Sequence, residues 1–221
     1  MKRKELVIFG LGDLGQIANY YFESDSEYEV VAFTAHNLYV KGRFFEGKKV
    51  VPFEILEDEF NKNNVEIFIA ISYSNMNMDR ERIFHEVKSK GYELASYISS
   101  RCQYLSAHLP GENSFILENN VIQPFVHISD NVTLWSGNHI GHHSTINSHN
   151  FISSHVVVSG NCTIHSNCFL GVNATITHGV NIRQKTLVGA GVIMTKDSQE
   201  EEVYIGSKPI KSPKLSLEIK F

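Results

Sequence analysis

The chain has 221 residues, a formal net charge of −4 and 42% hydrophobic residues, enough for one or two domains with real cores. An acidic balance, with an isoelectric point near 6.3, lacks the basic face that a nucleic-acid or polyanion partner would call for. No apolar stretch reaches the roughly 18 residues of a membrane span, and Leu6-Val7-Ile8-Phe9 after the basic start is too short for a signal peptide, so a cytoplasmic protein without membrane or nucleic-acid partners is expected.

The first hundred residues alternate strands and helices. Leu6–Phe9 reads as a buried strand that runs into Gly10-Leu11-Gly12-Asp13-Leu14-Gly15. Leu14, Ile17, Ala18, Tyr21 and Phe22 then fall at helical spacing. Tyr28–Thr34 is a second strand, Lys49–Phe53 a third and Glu66–Tyr73 a fourth; Asp79–Lys90 is helical and closes at Gly91, before a last strand near Glu93–Ile98. Such alternation means a parallel sheet with helices on its faces, an α/β Rossmann-like domain over residues 1–100. Residues 99–115, with Pro110 and Gly111, read as a junction.

The glycine turn opens a helix after a strand, which lets a phosphate approach the backbone at a helix N-terminus. A dinucleotide site needs an acid at the end of the second strand, where Phe33-Thr34-Ala35-His36-Asn37 stands instead. A nucleotide diphosphate is the expected ligand, and a purely structural turn is the alternative.

From Ile116 the period changes. Ile116, Ile122, Ile128, Leu134, Ile140, Ile146, Ile152, Val158, Ile164, Leu170, Ile176, Ile182 and Val188 recur every sixth residue, with Met194 as a weaker last member. The slot four residues later is mostly small or β-branched, as in Val126, Val132, Ser144, Val156, Cys162, Cys168 and Ala174. A period of six marks a triangular parallel β-helix, in which three hexads make one coil and coils stack aliphatic over aliphatic. Each ladder side chain contributes about 1.5–3 kcal/mol of transfer free energy. The phase never slips between 116 and 188, so no long loop leaves the helix there, and residues 101–221 form an all-β domain with a C-terminal tail. So short a β-helix leaves flat faces with exposed groups such as Trp135, which closed cyclic symmetry would cover. Cys162 and Cys168 occupy small inward slots, as buried reduced thiols do.

Six of the eleven histidines, His139, His142, His143, His149, His155 and His165, lie between 139 and 165. Most fall on outward hexad positions. A three-histidine zinc site between β-helices is one reading of the rest: His142 and His178 are two coils apart, but Arg183 stands where the third ligand is needed. The other reading is a general base, with the His142-His143 pair beside a groove and Gly160, three hexads on and so one coil above, offering its N–H to an oxyanion.

The glycine-turn α/β domain, the unbroken ladder, Gly137-Asn138-His139-Ile140-Gly141-His142-His143 and Ser159-Gly160-Asn161 together resemble the hexapeptide-repeat sugar acyltransferases, namely nucleotide-amino-sugar N-acetyltransferases of bacillosamine-type pathways and sialic acid O-acetyltransferase-like proteins. The resemblance implies a homotrimer of left-handed β-helices with acetyl-CoA between subunits, no metal, and His142 as catalytic base with His143 and Gly160 beside it. Gly171, Asn173, Gly189 and Ala190 match coils along the pantetheine arm, and Ile205, Gly206, Lys208 and Pro209 match the adenine end of CoA. Gly10, Gly12, Asp13, Leu14, Thr34, Ala35, His36, Asn75 and Arg80 fall where that family holds its nucleotide sugar. The chain departs from the pattern in three places: Leu14 replaces a histidine, the acid after the second strand is missing, and His142 has Gly141 and His143 as neighbours where an acid often flanks the base. The expected activity is acetyl-CoA-dependent N-acetylation of a nucleotide-linked amino-deoxy sugar, 4-amino-6-deoxy favoured, for surface polysaccharide or glycan biosynthesis. Acylation of a sugar hydroxyl and a non-catalytic scaffold are the alternatives.

Overall fold

A computed structural model describes residues 3–219. Strands β1 (Lys4–Phe9), β2 (Tyr28–Ala35), β3 (Phe44–Phe45), β4 (Lys48–Pro52) and β5 (Val65–Ile69) form one sheet in the order β3-β4-β2-β1-β5. All pairs are parallel except β3 with β4. β1 is apolar without alternation because both its faces are covered: Leu6, Val7 and Ile8 are fully buried. Helix α1 (Asp13–Ser24) sets Ala18 and Phe22 on Leu6, Ile8, Phe33 and Phe68, and α3 (Met78–Ser89) sets Ile83, Phe84 and Val87 on Val7 and Ile67 across the sheet. The short α2 (Leu56–Glu59) adds Leu56 to that second layer. Gly91 closes α3 at φ +82°, a conformation that glycine adopts without strain.

Two expected strands are corrected. β5 stops at Ile69, and 70–77 turn irregularly above the sheet edge. The strand expected over Glu93–Ile98 is divided: Leu94 makes a single bridge to Ile67, whereas Tyr97–Ile98 pairs with Phe115–Ile116 of the β-helix. The coil stack therefore begins at Tyr97, inside the expected first domain and ahead of the junction, and within the junction Gln103–Tyr104 pairs with Val121–Ile122. Ile98, Tyr104 and Pro110 hold the six-residue phase backwards from Ile116, but an aromatic and a proline hide it.

From Tyr97 onward, two-residue strands stack into three sheets of seven, six and four strands. Phe115 pairs with Thr133, Thr133 with Phe151 and Phe151 with Phe169, a constant register of three hexads. The last coil is tighter: Leu187 lies opposite Val203, where the earlier register would have placed Ile205. The ladder aliphatics and the inward Cys162 and Cys168 form one core. The corners carry a second six-residue rule: Asn113, Asn119, Phe125, Asn131, His143, His149, His155, Asn161, Asn167, Asn173 and Lys185 all have φ between 54° and 65°, and Gly137, Gly179 and Gly191 fill the remaining turns. Asparagine and histidine tolerate this left-handed region better than most side chains, so several histidines are corner residues.

The N-terminal domain covers the seven-stranded face, burying Tyr97, Phe115, Thr133 and Phe151. Trp135, expected on an open face, is half-buried in the same layer. Of the opposite faces, the six-stranded one leaves Val157 and Ile193 exposed. Polar pins cross the junction. Asn77 Nδ2 donates to the Cys168 carbonyl at 3.0 Å, and the Ile69 N–H donates to Asn113 Oδ1 at 2.7 Å. Tyr97 donates to Asp25 at 2.6 Å. Among the described residues no helix is long and apolar enough to cross a membrane.

Candidate functional site

Two cavities flank the glycine turn. The first, roughly 640 Å³, lies over the ends of β1 and β2 and is lined by Gly10, Gly12, Ala35, His36, Lys41 and Arg82 among others. The second, roughly 750 Å³, lies between the turn and the β-helix, against Asp13, Leu14, Tyr73, Trp135, Phe169 and Gly171 among others. Both touch Gly10, Leu11, Gly12 and Ile71, so the turn is the ridge between them.

The three glycines of the turn divide by role. A Cβ on Gly10, at φ +137°, would stand 2.5 Å from the Ala70 carbonyl oxygen, and one on Gly15 would strike the Gly10 carbonyl. Those two serve the strand–helix packing. Gly12 meets nothing within 4 Å and faces both cavities. α1 has no side-chain N-cap, and among the described residues the N–H groups of Asp13, Leu14 and Gly15 have no partner. Unsatisfied donors at the positive end of a helix favour an anion.

Ala35 and His36 line the first cavity. The His36 ring lies between two carboxylates, with Nδ1 3.2 Å from Glu54 and Nε2 2.9 Å from Glu86. Thr34 is fully buried; it accepts the Gly10 N–H with its carbonyl and lines neither cavity. Asn75 is exposed at φ +50° and lines neither.

Arg80 is the clear correction. Expected at the nucleotide pocket, it is 1% exposed at the domain junction. Its guanidinium donates to Thr133 Oγ1 at 2.6 Å, the Asn150 carbonyl at 2.9 Å and Asn77 Oδ1 at 3.3 Å. Burial draws its pKa down to about 9 because these acceptors are neutral and no carboxylate offsets the lost hydration. Sequence reasoning passed over Tyr39, Lys41, Phe44, Asp79 and Arg82 around the first cavity and Tyr73 and Phe151 around the second. One signal was available for the second group: Phe115, Phe151 and Phe169 each stand one residue before a ladder aliphatic, which makes an aromatic column on one face.

On the β-helix, Gly171 and Ala190 line the second cavity. Asn173 is a corner residue at φ +59°. Gly189 and Gly206 permit close coil stacking, since a Cβ on either would lie 2.9 Å from a carbonyl oxygen, of Tyr204 and of Ala190. Ile205, Lys208 and Pro209 are exposed where the chain leaves the last coil.

His142 occupies a different corner. Its N–H donates to Gln123 Oε1 at 2.9 Å, and its Nδ1 lies 3.0 Å from the Nδ1 of His143. The His143 ring packs on Phe125 with centroids 4.7 Å apart. His142, Gly160 and His178 form one column; a Cβ on Gly160 would stand 2.7 Å from His142 Cε1, and the His178 ring is 6.4 Å from that of His142. Among the described residues the Gly160 N–H has no hydrogen-bond partner. This column follows the six-stranded face (139–140), whereas Ser153, Ser154 and Gly171 follow the seven-stranded face. One chain thus holds the imidazole and the glycine-turn cavities at separate corners of the same prism.

Among the described residues one cluster has the donors for a metal, Glu81, His85 and His149, whose ligand atoms lie within 4.8 Å of one another. A chain of amides bears on it. The Ile69 N–H requires an oxygen at Asn113 Oδ1, which turns Asn113 Nδ2 toward Asn131 Oδ1 at 2.8 Å, and Asn131 Nδ2 toward His149 Nδ1 at 2.8 Å. His149 Nδ1 is therefore an acceptor, and in the neutral ring the proton sits on Nε2, the atom facing Glu81 at 3.6 Å. All three cysteines are free, and burial raises the thiols of Cys162 and Cys168, the latter to about 12.

The family model for the hexapeptide repeat of succinyl-transferase matches residues 161–196. No curated protein sequence matches the chain. Among solved structures, the acetyltransferase domain of PglB from Neisseria gonorrhoeae FA1090 in complex with acetyl coenzyme A superposes with a TM-score of 0.80 at 18% identity, covering 91% of this chain and 95% of that one. A variant of perosamine N-acetyltransferase from Caulobacter crescentus, in complex with CoA and GDP-perosamine, gives 0.79 at 20% identity over 91% and 93%. WeeI from Acinetobacter baumannii AYE gives 0.70 at 18% identity over 92% and 97%. These likenesses show a shared fold over nearly the whole chain, and the stacked hexads fit a left-handed β-helix.

Proposed function

We propose that the protein is an acetyl-CoA-dependent N-acetyltransferase of a nucleotide-linked amino-deoxy sugar, 4-amino-6-deoxy in type, acting in the cytoplasm in surface polysaccharide or glycan biosynthesis. The observation that carries this reading is the His142–Gly160 pair: a base and an unpartnered N–H adjoin on one edge of a β-helix. A neutral His142 takes the proton of the attacking amine, the Gly160 N–H stabilises the oxyanion, and the proton passes to the departing thiolate. One oxyanion donor is worth about 2.7–4 kcal/mol.

In this reading the Rossmann-like domain holds the nucleotide in the first cavity, with the diphosphate at the α1 N-terminus, and Lys41 and Arg82 supply cations nearby. Acetyl-CoA runs past Gly171 and Ala190. Since His142 occupies another corner, the imidazole serving each glycine-turn groove belongs to a neighbouring copy, and the working unit is a homotrimer. The enzyme works without a metal. A His149 whose Nδ1 already accepts a hydrogen bond would have to lose its Nε2 proton as an imidazolate to bind one.

The companion structures with acetyl coenzyme A and with CoA and GDP-perosamine support the substrate classes. The test is thiol release from acetyl-CoA in the presence of UDP-, dTDP- and GDP-linked 4-amino-6-deoxy sugars and their 4-hydroxy counterparts. Release with one amino sugar nucleotide is expected. Release with the hydroxy sugars alone would make the protein an O-acetyltransferase, and release with none would overturn acyl transfer.

A further inference from the structure

We propose that His143 replaces a carboxylate as the group that orients the base, and that it fixes His142 as the Nδ1–H tautomer with a bare Nε2 toward the acceptor amine. The inference rests on the acyl-transfer reading above. Two Nδ1 atoms 3.0 Å apart share a single proton, so one ring donates and the other accepts. Among the described residues no carboxylate is hydrogen-bonded to either ring, and Gln123 Oε1 is occupied by the His142 backbone N–H. The other groups facing the pair are the His178 ring, Phe125 and Asn161, whose Nδ2 is 3.5 Å from His178.

The acyl-transfer reading assigns the donor, because a base toward the amine needs a bare Nε2 on His142. His143 is held at a left-handed corner, φ +58°, with its ring against Phe125, so its Nδ1 is aimed at His142 while the rest of the ring is exposed. A ring that keeps its proton on the solvent-facing Nε2 leaves Nδ1 as an acceptor. His142 then donates from Nδ1, and its Nε2, on the Gly160 side, carries a free lone pair. During transfer the C–N bond forms as the amine proton moves to His142 Nε2. The C–S bond then breaks and the same proton moves to the thiolate. The Nδ1 proton stays on His142 throughout, and its hydrogen bond to His143 strengthens while His142 is cationic.

A neutral imidazole in a carboxylate's place has a consequence for pH. Protonation of His143 at Nδ1 removes the acceptor, and protonation of His142 removes the base. Activity requires both nitrogens to be free of an extra proton. His143→Asn suits the left-handed corner and keeps an acceptor oxygen, so it should retain most activity. His143→Gly fits the same φ without an acceptor and should lower kcat about tenfold, leaving the acetyl-CoA KM unchanged. Nitrogen-15 NMR of the resting enzyme should show the proton on Nδ1 of His142 and on Nε2 of His143. Full kcat in His143→Gly, or a proton on Nε2 of His142, would each overturn the proposal. If no acceptor sugar supports thiol release, the functional reading fails instead, while the NMR tautomers still decide this one.

Discussion

The imidazole of His142 fills the place where any residue but glycine at position 160 would put its Cβ, 2.7 Å from Cε1 and 2.8 Å from Nε2. The pair is thus a single steric unit: one coil supplies the ring, and the next supplies the gap it fills. Gly160→Ala should displace the ring without disturbing the ladder, because Gly160 is not at positive φ. We expect kcat to fall 10- to 100-fold or about 1.4–2.7 kcal/mol, with an unchanged thermal transition. His142→Ala should cost about 10²–10⁴ in turnover and spare acetyl-CoA binding. Steady-state kinetics check both; full activity in His142→Ala between pH 6 and 8 would remove it as the base.

Gly12 is the one glycine of its turn with open space around it. Gly12→Val should fold normally and place an isopropyl group where the diphosphate must approach the α1 N-terminus. The KM for the sugar nucleotide should rise tenfold or more, about 1.4 kcal/mol per decade, with the acetyl-CoA KM nearly unchanged. A selective loss of acetyl-CoA affinity would show that the two substrates had been assigned to the wrong domains.

His149 predicts acid sensitivity of the fold. Burial lowers its pKa most, Arg80 and His85 lower it further, and Glu81 and Asp130 partly oppose them. The folded state thus binds fewer protons than the unfolded chain just below pH 6.5, the ordinary value, and stability falls as pH drops through that value toward the depressed one. Each unit of depression corresponds to about 1.4 kcal/mol. His149→Asn would complete a column with Asn113, Asn131 and Asn167 at a corner that suits asparagine. Melting curves from pH 7.5 to 5 should show a smaller loss of Tm in this variant than in the parent; equal losses would place the acid sensitivity elsewhere.

Val157 and Ile193 are exposed on a face that the N-terminal domain leaves open, and His142 is at a corner away from the glycine turn. Light scattering should give three times the 25.0 kDa mass of the chain. A stable monomer in dilute buffer would remove both the trimer and the shared active site.

The ladder from Ile116 to Val188 was legible because one buried slot recurs at fixed phase, and burial of that slot is a local demand that every coil repeats. The α/β alternation was legible for a similar reason, as β1 and α1 each bury a stripe that their own spacing records. The His142–Gly160 relation was also within reach, since a coil of constant length converts sequence separation directly into stacking. Other assignments required the docking of one domain on the other. Arg80 looks like a pocket cation in sequence, and only the approach of α3 to Thr133 and Asn150 makes it a buried pin. Trp135 looks like an open-face aromatic until the N-terminal domain covers it. His149 is one corner histidine among several until Glu81 and His85 close over it. Periodicity determined what each coil must bury, because that burial is met within the repeat. Which outward residues became core, pin or site was decided by a surface that exists only once segments far apart in the chain, such as α3 and the coils bearing Thr133 and Cys168, have been brought together across the junction.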